Sequence, residues 1–365
     1  MNKSVAPEPT LSRNNGSLID STRALAGFSA KLSAASVIAV DTEADSLHSY
    51  REKLCLIQIS IPGADEIIDP LADISLEPLA EALRDKEIVL QGADFDLRML
   101  RRVGILVGGV FDTLIGARLI GETEVGYAAL VQRFLGVELA KGSQKANWNQ
   151  RPLPDAMIEY ARNDTHYLLP LRDILDARLH ELGREEWFRQ SCEQAWRQAA
   201  KDRLKKPDEL WRISGSGNLR GRCAAILREL WKWRELEAEK RDRPVFHILN
   251  NDKMIQAAIA IDSGHPVQLT ELRGPRRIRF DEAVQIALAQ PQSEWPQRVF
   301  SPRRRWTPEQ EAEFDRLKAI RDKAAAEIQL DPSLIAPRQA MESIALGIQP
   351  PHNVLLPWQL QLLAL

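Results

Sequence analysis

The hydrophobic positions of this 365-residue chain change their period along its length, and the changes divide it into parts. Val37-Ile38-Ala39-Val40 is a short apolar run rich in β-branched residues, which reads as a buried strand running on into Asp41-Thr42-Glu43-Ala44-Asp45. Residues 18–35 read as a short helix leading into it. After the polar turn Ser46 to Lys53, Leu54-Cys55-Leu56-Ile57-Gln58-Ile59-Ser60 reads as a second strand, closed by Pro62-Gly63. Asp65-Glu66-Ile67-Ile68-Asp69 is a short third strand, ended by Pro70. Three strands this close in sequence are expected to pair as an antiparallel meander.

The period then becomes helical. Leu76, Leu79, Ala80 and Leu83 mark an amphipathic helix. Glu87–Gln91 is a fourth strand, Gly92-Ala93 turns the chain, and Asp94–Leu100 opens another helix. Val110-Phe111 is a short strand, with Asp112 as the N-cap of the helix Thr113–Ile120. Strand–helix alternation after a meander predicts a mixed α/β sheet covered by helices.

From Leu130 onward no further strand is expected. Residues 153–201 read as helical with a break near Gly183. Pro207 and Ser214-Gly215-Ser216-Gly217 mark linker or loop, and helices follow at Gly221–Arg241, stopped by Pro244, and at Lys253–Ile261. The Pro-, Arg- and Trp-rich stretch Pro291–Pro308 reads as a second linker. Helices resume at Pro308–Gln329 and Pro337–Leu346, with a last apolar segment at Trp358–Leu365. The fold class expected is α/β followed by all-α, the back half forming two small bundles. The division expected is a disordered N-terminus at 1–17, an α/β domain at 18–202 and helical domains at 203–290 and 291–365.

Composition changes this picture little. Hydrophobic residues make up 44 % of the chain, a globular value, and no run approaches the length that spans a bilayer. Met1 to Ser17 is polar with two prolines, which predicts disorder rather than a signal peptide. Cys55, Cys192 and Cys223 are odd in number and far apart, which argues against a disulfide framework or a zinc site and fits a reducing, cytoplasmic setting. Residues 1–150 carry 15 basic and 20 acidic side chains, whereas residues 201–365 carry 27 and 22. That modest asymmetry suits a metal site joined to a module that holds a polyanion.

Candidate chemistry sits at three acidic places. Side chains alternate along a strand, so Asp41 and Glu43 share a face about 6–7 Å apart. Two carboxylates so placed repel, and a hard divalent cation is their simplest neutraliser; a strand end with solvated acids carries the same pattern. Asp94 and Asp96 lie in the first turn of a helix, where acids also interact favourably with the helix dipole. Tyr160 and Asp164 are four apart on a later helix and share a face, as a surface pair also does. Their order along the chain is the specific signal: D-x-E on a strand, a helix-start Asp about fifty residues later, then Y-x-x-x-D.

In that order Asp41-x-Glu43, Asp96 and Tyr160-x-x-x-Asp164 resemble the three exonuclease motifs of the DEDD superfamily, in its tyrosine-bearing subgroup. The surroundings are similar to the ribonuclease D family: Leu54–Gln58, Phe111-Asp112-Thr113, Asn147-Trp148-x-x-Arg151-Pro152-Leu153, and Tyr160 onward through Tyr167-Leu168-Leu169-Pro170. This likeness covers about residues 18–200. Leu227-x-x-Leu230-Trp231-x-Trp233-Arg234-Glu235, with Ala238 and Pro244, resembles an HRDC domain. Leu317–Ala326 through Ile335, Pro337-Arg338 and Trp358-Gln359 resembles a second, more divergent one.

The resemblance implies a ribonuclease-H-like mixed sheet followed by one or two HRDC bundles. It implies two divalent metal ions, Mg2+ or Mn2+, roughly 3.5–4 Å apart. Asp41 would bridge them, Glu43 and Asp164 would hold the one carrying the attacking water, and Asp96 would serve the other partly through water. Tyr160 would orient or help deprotonate the nucleophile. The activity implied is a 3′→5′ exoribonuclease that trims transfer-RNA precursors and other small structured RNAs and releases 5′-monophosphates. The alternatives are a DNA 3′→5′ exonuclease and a non-catalytic RNA-binding scaffold. RNA is the partner expected, with no membrane, and the chain is expected to be monomeric. Asp96 is preferred to Asp94 because Asp-Leu follows the family spacing. Gln91-Gly92 and Asn147 depart from the residues common in relatives. His48, Tyr50, His166, Arg98, Arg101, Arg102 and Arg303-Arg304-Arg305 are possible RNA or proton contacts, each with a plain structural alternative. Trp211, Trp231 and Trp233 read as bundle core rather than as base-stacking platforms.

Overall fold

The computed structural model describes residues 18–45, 47–140, 142, 146–201, 209–297 and 306–365. The segment 1–17, the join at 202–203 and Arg303-Arg304-Arg305 lie outside the described residues.

Five strands form one mixed sheet: β1 Ile38–Ala44, β2 Leu54–Ile61, β3 Ala64–Ile68, β4 Glu87–Leu90 and β5 Gly109–Asp112, in the order β3-β2-β1-β4-β5. The meander is as expected, β2 running antiparallel to both β1 and β3. β4 is parallel to β1 and to β5, so the chain must cross over between them, and helices supply the crossings. All eight residues of β2 are buried, which is why it reads as a near-continuous apolar run. The acidic end of β1 therefore lies at the middle of the sheet.

Helices α1 Thr22–Ala34, α2 Glu77–Leu83, α3 Asp94–Arg102, α4 Thr113–Leu119, α5 Tyr127–Leu135, α6 Asp155–His166, α7 Leu168–Glu181 and α8 Glu185–Ala199 complete the α/β part. The helical run expected over 153–201 breaks at Gly183, whose φ of +63° suits glycine, and also at Tyr167. The apolar periodicity continues across Tyr167, so the sequence pattern hides that second break. It also gave no sign of α5.

The middle of the chain forms α9 Gly221–Arg241, α10 Val245–Ile248, α11 Asn251–Asp262 and α12 Pro275–Ala289. Their core is their own, built on Trp211, Leu230, Trp233, Met254 and Phe280. Trp231 packs partly buried against it, so these tryptophans are core, as expected. The start of α12, Pro-Arg-Arg-Ile-Arg, masks its helical face in charge, and the sequence pattern missed it.

The last group is α13 Pro308–Ile328, α14 Pro332–Ile335, α15 Arg338–Ala345, α16 Pro351–Val354 and α17 Pro357–Leu363. It does not stand apart: Leu317, Ala325, Ile335, Met341, Trp358 and Leu363 belong to the same buried cluster as β1, β4 and Phe188. Trp358 stacks on Trp187 of α8, with ring centroids 5.0 Å apart. An amphipathic face predicts burial but does not say against what. Among the described residues no helix is long and apolar enough to cross a membrane.

Candidate active site

Asp41 and Glu43 leave β1 on one face, as alternation requires. Helix α6 lies over the same part of the sheet, packing on β1, β2 and β3 through Met157 and Ala161. That packing brings in Asp164, and carboxylate oxygens of Asp41, Glu43 and Asp164 lie within 4.8 Å of one another.

Asp96 reaches the site by a different construction. The turn between β4 and α3 is pinned by Asp112, which accepts from the Gly92 and Ala93 amides at 2.9 Å each and also caps α4 through the Leu114 amide. Gly92 sits at φ +76°, a conformation costly for other residues. Asp96 then accepts from Thr42, between the two β1 acids: from its amide at 3.0 Å and its hydroxyl at 2.6 Å. Asp94 points elsewhere, half-exposed beside Arg98 at 3.1 Å.

The electrostatics follow from crowding. Burial pushes the Asp41 carboxyl well above the ordinary range, and the charges of Asp96, Asp164 and Glu43 push it further. Glu43 rises to about 8 by burial and then by Asp164 and Asp96. Burial raises Asp164 to about 7. Asp96 rises to about 6, burial outweighing its bonds from Thr42. Among the described residues no Lys or Arg forms an ion pair with any of the four. An oxygen-only set of converging carboxylates, with no such pairing cation among the described residues, fits a hard divalent metal ion.

Tyr160 lies one turn before Asp164, its ring 6.1 Å from that of fully buried Trp148. The Trp148 segment is held by Arg151, which grips both oxygens of Asp69 at 2.6 Å and also donates to the carbonyls of Trp148 and Cys55. The motif from Asn147 to Leu153 thus forms the floor beneath Tyr160. Asn147 itself accepts from the Asn149 amide in an exposed turn.

Other candidates fall outside this cluster. His166 pairs with Asp65 at 2.8 Å, and Ser60 bonds both Asp65 and Thr165. His48 and Ser49 bind the two oxygens of Asp45. Tyr50 faces the helical module, its hydroxyl on Glu235. Arg102 pairs with Glu52 at 2.8 Å, and Arg101 is exposed. Gln91 donates to the Val125 carbonyl at 2.8 Å, so this departure serves to hold a loop. Thr42 and Tyr127 also touch this site, Thr42 through Asp96 and Tyr127 through α6. The Tyr127 hydroxyl donates to the Asn163 carbonyl at 2.7 Å, and its pKa is raised first by burial and then by the nearby Asp164 charge. Neither stands out by residue type or spacing.

The chain matches the family model described as 3′-5′ exonuclease over residues 17–180 and the HRDC domain model over residues 224–280. It is 31 % identical over 362 residues to a ribonuclease D of Zymomonas mobilis subsp. mobilis, covering 94 % of this chain and 90 % of the relative. The match to a ribonuclease D of Pseudomonas paraeruginosa is 31 % identical and covers 84 % and 83 % of the two chains. Among solved structures, Escherichia coli RNase D, described as an exoribonuclease involved in structured RNA processing, superposes with a TM-score of 0.72. It is 25 % identical, with 96 % of this chain and 99 % of the other covered.

Proposed function

The chain belongs to the ribonuclease D family and is a metal-dependent 3′→5′ exoribonuclease, and we propose that it uses two divalent ions, Mg2+ or Mn2+, to trim the 3′ ends of transfer-RNA precursors and other small structured RNAs. The observation that carries this reading is the convergence of Asp41, Glu43 and Asp164, with Asp96 tied into the same place through Thr42. Asp41 would serve both ions, Glu43 and Asp164 one, and Asp96 the other.

When bound, the ions neutralise the crowded carboxylates and supply Lewis acidity at the scissile phosphate. The chain's own part is to place the groups. Tyr160, braced by Trp148, orients the attacking water through its hydroxyl. Attack at phosphorus breaks the bond to the 3′ oxygen of the preceding nucleotide, and the 5′-monophosphate departs. Shape and end access, rather than base readout, would select the RNA, with the HRDC module gripping backbone. The division into an exonuclease domain at 18–202, a helical domain at 203–290 and a helical part at 291–365 that shares the exonuclease core, a monomeric state and a cytoplasmic setting are parts of this proposal.

The test is incubation of the protein with a 3′-extended transfer RNA labelled at its 5′ end. A ladder shortening from the 3′ end with Mg2+ or Mn2+, lost with chelator and in Asp41→Asn, is expected. Degradation of single-stranded DNA alone, or full activity in Asp41→Asn, overturns the reading.

A further inference from the structure

Gln58 belongs to the motif Leu54–Gln58 but takes no part in the site described so far. It is completely buried, and among the described residues neither atom of its side-chain amide has a hydrogen-bond partner. A buried amide left unpaired destabilises a fold, and an apolar residue of similar size would avoid that cost. The position calls for a use that explains it.

The strand register says where the amide sits. Gln58 lies directly opposite Asp41 in the β1–β2 pair and opposite Ile67 in the β2–β3 pair. Residues opposite one another in an antiparallel pair project from the same face, with Cβ atoms about 4.5–5.5 Å apart. Gln58 therefore shares the face of Asp41 and Glu43, beneath α6, the helix that carries Asp164. The next polar residue on that face, Ser60, is fully engaged with Asp65 and Thr165. Of these two neighbours, the one beside Asp41 is the one with no partner among the described residues.

We propose that Gln58 is a positioning residue of the metal centre, its Nε2 donating to the carboxylate of Asp41 when that carboxylate is ionised and bound to metal. Partners that orient metal-ligating side chains typically change affinity by about 10–100-fold. The inference rests on the metal reading of Asp41, Glu43 and Asp164.

Gln58→Leu and Gln58→Met remove the amide with little change in volume. The full chain carrying either is compared with the parent by thermal unfolding without metal and by calorimetric titration with Mn2+, with Asp41→Asn as a control. Expected is a metal-free Tm equal to or above the parent's, with Mn2+ affinity about 10–100-fold weaker in both Gln58 variants. Unchanged Mn2+ affinity overturns the proposal. So does a lowered metal-free Tm in both variants, because the amide would then be holding the fold. If Asp41→Asn itself binds Mn2+ like the parent, the metal reading has failed, and the role of Gln58 with it.

Discussion

One oxygen of Asp96 accepts two hydrogen bonds from Thr42, from the amide at 3.0 Å and from the hydroxyl at 2.6 Å. The residue between the two β1 acids thereby fixes the third acid, which the helix after β4 carries. Thr42→Val keeps the amide bond and the shape but removes the hydroxyl. A buried hydrogen bond to a charged group contributes about 1.5–3 kcal/mol. Exonuclease activity should fall roughly tenfold, and Thr42→Ser should recover most of it; equal activity in all three proteins would mean that the hydroxyl does not position Asp96.

The four carboxylates repel one another until a cation arrives, so neutralising one should relieve the metal-free fold. Asp41→Asn removes the acid that feels all three of the others. In chelator its Tm should equal or exceed the parent's, while activity is abolished and Mn2+ no longer raises the Tm. A Tm well below the parent's in chelator would show that Asp41 is needed for folding rather than for metal.

How much of this site shows in the sequence depends on the kind of contact. Asp41 with Glu43, and Tyr160 with Asp164, are legible because strand alternation and the helical turn act within one element. Asp112 is legible as a cap, but its second task, pinning Gly92 and Ala93, is a contact between β5 and the turn after β4. The positions of Thr42 against Asp96 and of Gln58 against Asp41 depend on register and crossover, which no local pattern encodes. The same holds for α13–α17: their apolar faces are visible, but burial against the α/β core rather than in a bundle of their own is a tertiary choice.

The pH dependence has a definite sign. Glu43 rises from its ordinary 4.5 to about 8, so between these values the metal-free fold binds more protons than the unfolded chain. Its stability therefore falls as pH rises through that window. Metal binding needs the ionised carboxylates and releases protons. The Tm increase caused by Mn2+ should be larger at pH 8 than at pH 5.5, and proton release should be measurable in buffers of different ionisation enthalpy. A pH-independent Tm increase would be inconsistent with these carboxylates as ligands.

The HRDC module meets the loop after β1 through polar contacts. Asp242 accepts from the Tyr50 amide at 3.1 Å and from Lys53 at 2.6 Å, and Arg51 pairs with Glu239 at 2.8 Å. Such exposed pairs contribute only about 0–1 kcal/mol each and weaken with salt. Asp242→Ala should leave the Tm nearly unchanged but speed hydrogen exchange at the Tyr50 amide, and added salt should mimic it in the parent. Unaltered exchange at Tyr50 would mean that this contact does not hold the loop.

The opposite holds for Arg184, which is buried between the α/β core and the last helices. It donates to the Leu119 carbonyl at 2.6 Å and to the Ile328 carbonyl at 2.7 Å, and its guanidinium lies 5.6 Å from the Trp187 ring. These carbonyls end α4 and α13, so one side chain satisfies two helix C-termini and ties them together. Burial lowers its pKa, but an arginine stays charged throughout the working range. Arg184→Met keeps much of the stem and leaves both carbonyls without their partner, and should cost about 2–4 kcal/mol. Denaturant unfolding would measure it. A loss below about 1 kcal/mol would mean that α13–α17 are held by apolar packing alone, through Trp358 on Trp187 and Leu317 in the shared core.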